Sequence, residues 1–247
     1  MQISKYNANG NDFVIFHTFI KKDRSELAKK LCNRQSGIGA DGLIVLIPHE
    51  SEDYEWEFYN SDGSEADMCG NGSRAVALYA VDNNLADKKH TFLSAAGVIE
   101  AEVDKDDVKV KLTKPKILSE VFEKEGLEWH FYDTGVPHLV TYVDDLDIYD
   151  KELASKMRYE YNSNVNFAKL EKNCIRVRTY ERGVEDETLA CGTGMAASFY
   201  GLFLEKKVDA SCRVYPSSGE ELELSYKDEY IFFKGEVQRV FTTTIDA

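Results

Sequence analysis

Two stretches of this chain repeat one pattern. Cys69-Gly70-Asn71-Gly72-Ser73-Arg74-Ala75 and Cys191-Gly192-Thr193-Gly194-Met195-Ala196-Ala197 each set a cysteine before a Gly-x-Gly turn and an apolar run. The two cysteines are 122 residues apart, and Gly97 and Gly219, each preceding an alternating strand pair, share that offset. One pair runs from Val98 to Val103 and, after a charged turn, from Val108 to Leu112; the other comprises Glu221-Leu222-Glu223-Leu224 and Tyr230-Ile231-Phe232-Phe233. Upstream, Phe58-Tyr59-Asn60 leads to Cys69 much as Thr179-Tyr180-Glu181-Arg182 leads to Cys191. An internal duplication limits the fold more than any local propensity. It predicts an α+β chain of two pseudo-symmetric halves, each β-rich with one central helix.

The repeat also bears on chemistry. A thiol ahead of a helix start lies where unpaired backbone N–H groups and the positive end of the dipole attract anions and favour the thiolate. One such thiol reads as a nucleophile. Two of them, related by duplication, read as opposed acid and base groups that remove a proton from one face of a carbon and return one to the other. That is the logic of a racemase or epimerase. The backbone N–H groups of Gly70 and Asn71, and of Gly192 and Thr193, are then placed to hold a carboxylate while charge develops on it.

Composition narrows the partners. At 247 residues the repeat favours two domains of about 120 residues each, large enough to bury a core. A formal net charge of −14 disfavours nucleic acid and anionic membrane. No apolar stretch approaches spanning length, and Met1-Gln2-Ile3-Ser4-Lys5 lacks the pattern of a signal peptide, so a cytoplasmic protein is expected. Five cysteines, an odd number without a tight framework, read as reduced thiols. Metal-ligand spacing is absent and no cofactor is expected. The sequence admits a homodimer without requiring one.

Local patterns place the motifs. Residues 3–6 and 13–16 read as strands around the polar turn Asn7-Ala8-Asn9-Gly10-Asn11-Asp12. A helix is expected from Asp23, with Glu26 completing a capping-box pattern and Leu27 and Leu31 forming an apolar stripe, ending near Gly37. Residues 43–47 read as a buried strand, 75–81 as the continuation of the helix after Cys69, 139–143 and 175–180 as strands, and 151–161 as a helix. Pro115 between Lys114 and Lys116 marks the expected boundary between a half spanning 1–115 and carrying Cys69 and a half spanning 116–247 and carrying Cys191.

The motifs Gly10-Asn11-Asp12-Phe13-Val14, Gly37-Ile38-Gly39-Ala40-Asp41-Gly42, Phe58-Tyr59-Asn60-Ser61-Asp62-Gly63-Ser64, Gly135-Val136-Pro137-His138 and Tyr180-Glu181-Arg182-Gly183 join the two cysteine loops in one order. In that order and spacing the chain resembles the diaminopimelate epimerases over nearly its whole length. The resemblance implies two domains, each a β-barrel-like sheet wrapped around a central helix, with the active site in the cleft between them. It implies a cofactor-independent enzyme acting on a small molecule, interconverting LL- and meso-2,6-diaminopimelate for lysine and peptidoglycan precursor synthesis. It makes Cys69 and Cys191 the acid/base pair, His138 an orienting partner of a cysteine, and Glu181 and Arg182 the readers of the distal ammonium and carboxylate. Asn11, Asn60, Asn71 and Asn164 become substrate contacts, with Asn166 a near neighbour of the last. Cys32, Cys174 and Cys212 lack a glycine turn and read as structural.

Two positions depart from the family pattern. Relatives carry Asp-Gln where this chain has Asp41-Gly42, and Gly-Asn-Pro-His where it has Gly135-Val136-Pro137-His138. Related racemases acting on proline or hydroxyproline typically show Cys-Gly-His at the first cysteine and Ser-Pro before the second, where this chain has Cys69-Gly70-Asn71 and Leu189-Ala190. A phenazine-biosynthesis-type isomerase would lack the cysteine pair. A thiol protease leaves the second cysteine unexplained. A phosphate-binding module would show GxxxxGK[ST], which is missing.

Overall fold

The segments after the two cysteines are apolar on every side, and a helix of that composition is stable only when surrounded. In the computed structural model, which describes every residue except Asp67 and Ala247, both become central helices. The chain divides into two compact units, Met1–Val110 with Gly235–Ala247, and Lys111–Lys234.

The first unit opens with β1 (Gln2–Ala8) and β2 (Asn11–His17), an antiparallel hairpin. Its two-residue loop, Asn9-Gly10, has φ of 60° and 80°, the doubly left-handed turn that matches strand twist. After α1 (Ser25–Cys32) comes β3 (Gly42–Ile47), buried along its whole length and parallel to β2. Next β4 (Tyr54–Asn60) runs antiparallel to β3, and the central helix α2 (Gly70–Asp82) crosses over to β5 (Lys89–Ser94), which is parallel to β4. A meander follows through β6 (Gly97–Asp104) and β7 (Asp107–Lys111). Helix α1 is shorter than expected. Its Asp23 carboxylate accepts from the Ser25 N–H at 2.8 Å rather than capping deeper in the helix. It ends at Cys32 because the chain doubles back, the N–H groups of Ile38 and Gly39 both returning to the Leu31 carbonyl.

The second unit repeats this plan. Short β8 (Lys116–Ile117) and β9 (Phe122–Lys124) flank β10 (Leu127–Asp133), which pairs antiparallel with β11 (Pro137–Tyr142). Helix α3 (Lys151–Tyr161) then crosses to β12 (Asn164–Glu171), parallel to β11 as β3 is to β2. Antiparallel β13 (Cys174–Glu181) pairs with β14 (Asp186–Thr188), and the central helix α4 (Gly192–Leu204) crosses to β15 (Ser211–Tyr215), parallel to β13. The meander is β16 (Leu222–Lys227) and β17 (Tyr230–Glu236). Both units thus place two parallel crossovers in the same order, with the buried helix always in the second. A last strand, β18 (Gln238–Thr244), pairs antiparallel with β1.

Small residues let the sheets close on the helices. Ala75, Ala77 and Ala80 in α2, and Ala196, Ala197 and Ser198 in α4, are all fully buried. At Gly201 any side chain would collide with the Tyr132 and Tyr142 hydroxyls.

Candidate active site

In the first unit, one end of the sheet gathers the predicted residues. Gly42 pairs with Phe13 on one side and Asn60 on the other, so the start of β2, the start of β3 and the end of β4 lie together. Cys69 is the N-cap of α2, in extended conformation, and its Sγ accepts from the Gly72 N–H at 3.4 Å. The thiol faces Asn11, whose Oδ1 lies 3.7 Å from Sγ. Which end of each amide is presented follows from its other bond. The Asn11 Nδ2 donates to Asp41 Oδ2 at 2.8 Å, leaving the carbonyl toward the thiol. The Asn60 Nδ2 donates at 3.0 Å to Ser64 Oγ, whose own hydrogen goes to Asp62. Asn71 is reversed: its Oδ1 accepts from the buried Arg74 guanidinium at 2.7 Å, leaving its NH2 group available.

Behind Asn11, Asp12 bridges Lys5 at 2.8 Å and Arg34 at 2.8 Å. Burial pushes the Asp12 carboxyl up, but the bonds from Arg34 and Lys5 outweigh it and hold it below its ordinary range.

In the second unit, His138, the second residue of β11, lies beside Asn164 at the start of β12, and Glu181 ends β13. Cys191 is the N-cap of α4 and is buried. Its Sγ lies 3.6 Å from Thr193 Oγ1, which in turn lies 2.9 Å from His138 Nε2. Burial brings the His138 ring down to about 3, with the nearby Arg182 charge acting in the same sense, so the ring is neutral at physiological pH. Burial pushes the Glu181 carboxyl up, opposed by the 2.8 Å bond from the Thr188 hydroxyl. The Arg182 N–H donates to Asn164 Oδ1 at 2.7 Å, which turns the Asn164 NH2 toward His138 Nε2, 3.4 Å away, and the Arg182 guanidinium donates to the Asn162 carbonyl at 2.9 Å.

The remaining cysteines have other surroundings. Burial pushes Cys32, at the end of α1, up to about 12, and raises Cys174 and Cys212 on strands β13 and β15. Among the described residues no three His, Cys, Asp or Glu side chains cluster in a metal-holding arrangement, and no helix is long and apolar enough to cross a membrane.

Several side chains at these sites had no role assigned from the sequence: Asp41, Ser64, Arg74, Asn166, Thr179 and Thr188. Asn166 did leave a trace, since it is the one polar residue in the run Val165-Asn166-Phe167-Ala168 and is fully buried. Alternation puts it on the face of Asn164.

The family profile for diaminopimelate epimerase matches residues 3–118 and 130–240. A diaminopimelate epimerase of Nitratiruptor sp. is 60% identical over 244 residues, covering 98% of each chain. One from Campylobacter jejuni subsp. doylei is 57% identical over 242 residues, covering 98% of this chain and 97% of that protein. Among solved structures, a probable proline racemase from Agrobacterium radiobacter K84 superposes with a TM-score of 0.79 at 13% identity, over 99% of this chain and 92% of that one. A Bacillus anthracis phenazine biosynthesis protein of the PhzF family does so with a TM-score of 0.77 at 16% identity, over 100% and 99%. At such identity these two speak for the fold alone.

Proposed function

The chain belongs to the diaminopimelate epimerase family, and from that premise we propose that it interconverts LL- and meso-2,6-diaminopimelate by passing the α-proton between Cys69 and Cys191. The observation that carries the reading is that each unit sets one cysteine at the start of its buried, glycine-led helix. Inversion at a carbon needs a base on one face and an acid on the other, and two thiols exchange those roles with the direction of reaction. An α-proton is weakly acidic, so its removal requires donors already aimed at the carboxylate as charge accumulates there. The N–H groups of Gly70 and Asn71, and of Gly192 and Thr193, are such donors, and glycine permits close approach.

In this reading the amide polarities sort the substrate. The carbonyl ends of Asn11 and Asn60 suit an ammonium, and the NH2 ends of Asn71 and Asn164 suit a carboxylate. Glu181 and the planar fork of Arg182 take the distal ammonium and carboxylate. His138 acts on Cys191 through Thr193.

Replacement of either cysteine tests the proposal. Cys69→Ala and Cys191→Ala should each slow epimerisation by about 10²- to 10⁴-fold, the worth of a positioned proton-transfer group. The double variant should be little slower, because the two act as one unit. Each single variant should still wash solvent deuterium into the α-carbon of one stereoisomer, using the thiol that remains. Near-normal inversion in either single variant, or turnover of proline by the unaltered protein, would remove the reading.

A further inference from the structure

We propose that Arg158 of α3 is a positioning residue for distal recognition: by clamping Glu185 it fixes the turn that carries Arg182, and so sets how far from the reacting carbon the second carboxylate must lie. This rests on the reading of Arg182 as the partner of the distal carboxylate, and deepens it by naming what holds that arginine in place.

A polar stripe along a surface helix is ordinarily a solvated face. On α3, positions 151, 155, 158 and 162 have the i, i+4, i+7, i+11 spacing of one face, and each is spent on the chain between Tyr180 and Asp186. Lys151 pairs with Asp186 at 2.7 Å, and Ser155 Oγ lies 3.3 Å from the Tyr180 hydroxyl. Arg158 Nη2 donates to Glu185 Oε1 at 2.6 Å, and the Asn162 carbonyl accepts from the Arg182 guanidinium at 2.9 Å. The neighbouring positions Ala154 and Met157 are fully buried, which anchors the helix under the turn.

These contacts are unequal. Lys151 and Asp186 are both more than half exposed, so their pair contributes little. The Arg158 side chain is only 14% exposed, and the Glu185 oxygen that it reaches also accepts from the Gly183 N–H at 2.9 Å. The Gly183 N–H first, and Arg158 after it, hold the Glu185 carboxyl below its ordinary range against the opposing effect of burial, so the clamp is charged at neutral pH. One carboxylate thereby joins the helix to the middle of the turn.

The backbone shows that the turn needs holding. Gly183 and Glu185 have φ of 94° and 59°. Glycine takes a positive φ freely, whereas a glutamate stays there only where its surroundings compel it. Glu185 is bound at three points: its N–H donates to the Glu181 carbonyl at 2.8 Å, its carbonyl accepts from the Tyr180 hydroxyl at 2.8 Å, and its carboxylate takes Arg158 and Gly183. Arg182 precedes Gly183, and its own N–H is fixed on Asn164 Oδ1 at 2.7 Å. A guanidinium has five donors, so one bond to Asn162 leaves an edge for a carboxylate. Its reach is set at the backbone, and the backbone is set by Glu185.

Kinetics of the full chain, paired with solvent exchange of the Gly183 amide, test the assignment. Arg158→Met should raise KM for diaminopimelate about 10- to 100-fold with kcat changed by about threefold or less, the effect of misplacing a binding group away from the reacting centre. Arg158→Lys should recover most of that loss. Glu185→Gln, nearly isosteric, should reproduce it if Arg158→Met does not fold. Both Arg158→Met and Glu185→Gln should speed exchange of the Gly183 amide about tenfold, as a released turn opens more often. In an Arg182→Ala background, Arg158→Met should cost no more than about a further twofold, because it acts through that arginine. A loss of the original size in that background, or an unchanged KM in both Arg158→Met and Glu185→Gln, overturns the proposal. Unchanged kinetics in Arg182→Ala alone would instead remove the reading of Arg182 and this inference with it, and faster Gly183 exchange would then mark the clamp as structural only.

Discussion

The ring of Phe58 stands where a side chain at Gly42 would have to go. A Cβ there would also press on the Tyr59 carbonyl at 2.9 Å and on Phe13 at 3.4 Å. The glutamine that relatives carry after the aspartate therefore has no room in this chain. Gly42→Gln should not add a substrate contact. It should cost about 1–3 kcal/mol of stability, as overpacked cores do, with a lower urea midpoint and no gain in turnover.

His138 gives folding a definite pH dependence. Above its ordinary value of 6.5 the ring is neutral both folded and unfolded, and nothing is lost. Below that the unfolded chain takes a proton that the folded chain refuses until about 3, so stability falls as pH drops through this window, by up to one proton per molecule. His90, held down by burial although the Asp87 carbonyl opposes, adds to the same trend. Denaturant titrations at a series of pH values should show that slope, and the His138 ring signals should not titrate while the ring stays folded above about pH 4.

Arg182 is the reader for which charge alone is insufficient. Arg182→Lys keeps the charge and loses the fork, so kcat/KM for diaminopimelate should fall about 10- to 100-fold, the range of one hydrogen bond to a charged group. Amino acids without a distal carboxylate should remain poor substrates in both forms. Equal kinetics for the two proteins would remove Arg182 from the substrate's path.

A proton-transfer route through two thiols requires neither a metal nor a carbonyl cofactor. Dialysis against chelator and hydroxylamine should leave the rate unchanged when reductant is present. Restoration of lost activity by pyridoxal phosphate or a divalent cation would point to different chemistry.

Much of this was legible before any coordinates. The thiols sit at helix starts because a Gly-x-Gly turn after an extended residue can hardly do otherwise, and α3 spans residues 151–161 as its pattern indicates. The helix expected to run from Asp23 toward Gly37 was overread: a capping-box spacing does not reveal that Asp23 would bond Ser25, nor that Asn33 would begin a tight return. The seven residues of β18 were silent because they are exposed on both faces and show no alternation. Asn166, Thr179 and Asp41 were silent for another reason. Their effect lies in which end of a neighbouring amide or ring they hold, and hydrogen-bond polarity leaves no periodicity in a sequence.

The pairing of β18 with β1 brings residues 2–7 against residues 238–244. The amino group of Met1 donates to the Ile245 carbonyl at 2.6 Å, and the Ile245 N–H returns a bond to the Met1 carbonyl at 3.0 Å. The first unit is thus completed by a strand that follows the whole second unit in the chain. On the ribosome, β1 therefore stands with an open edge until the second unit has been translated and β18 supplies its partner.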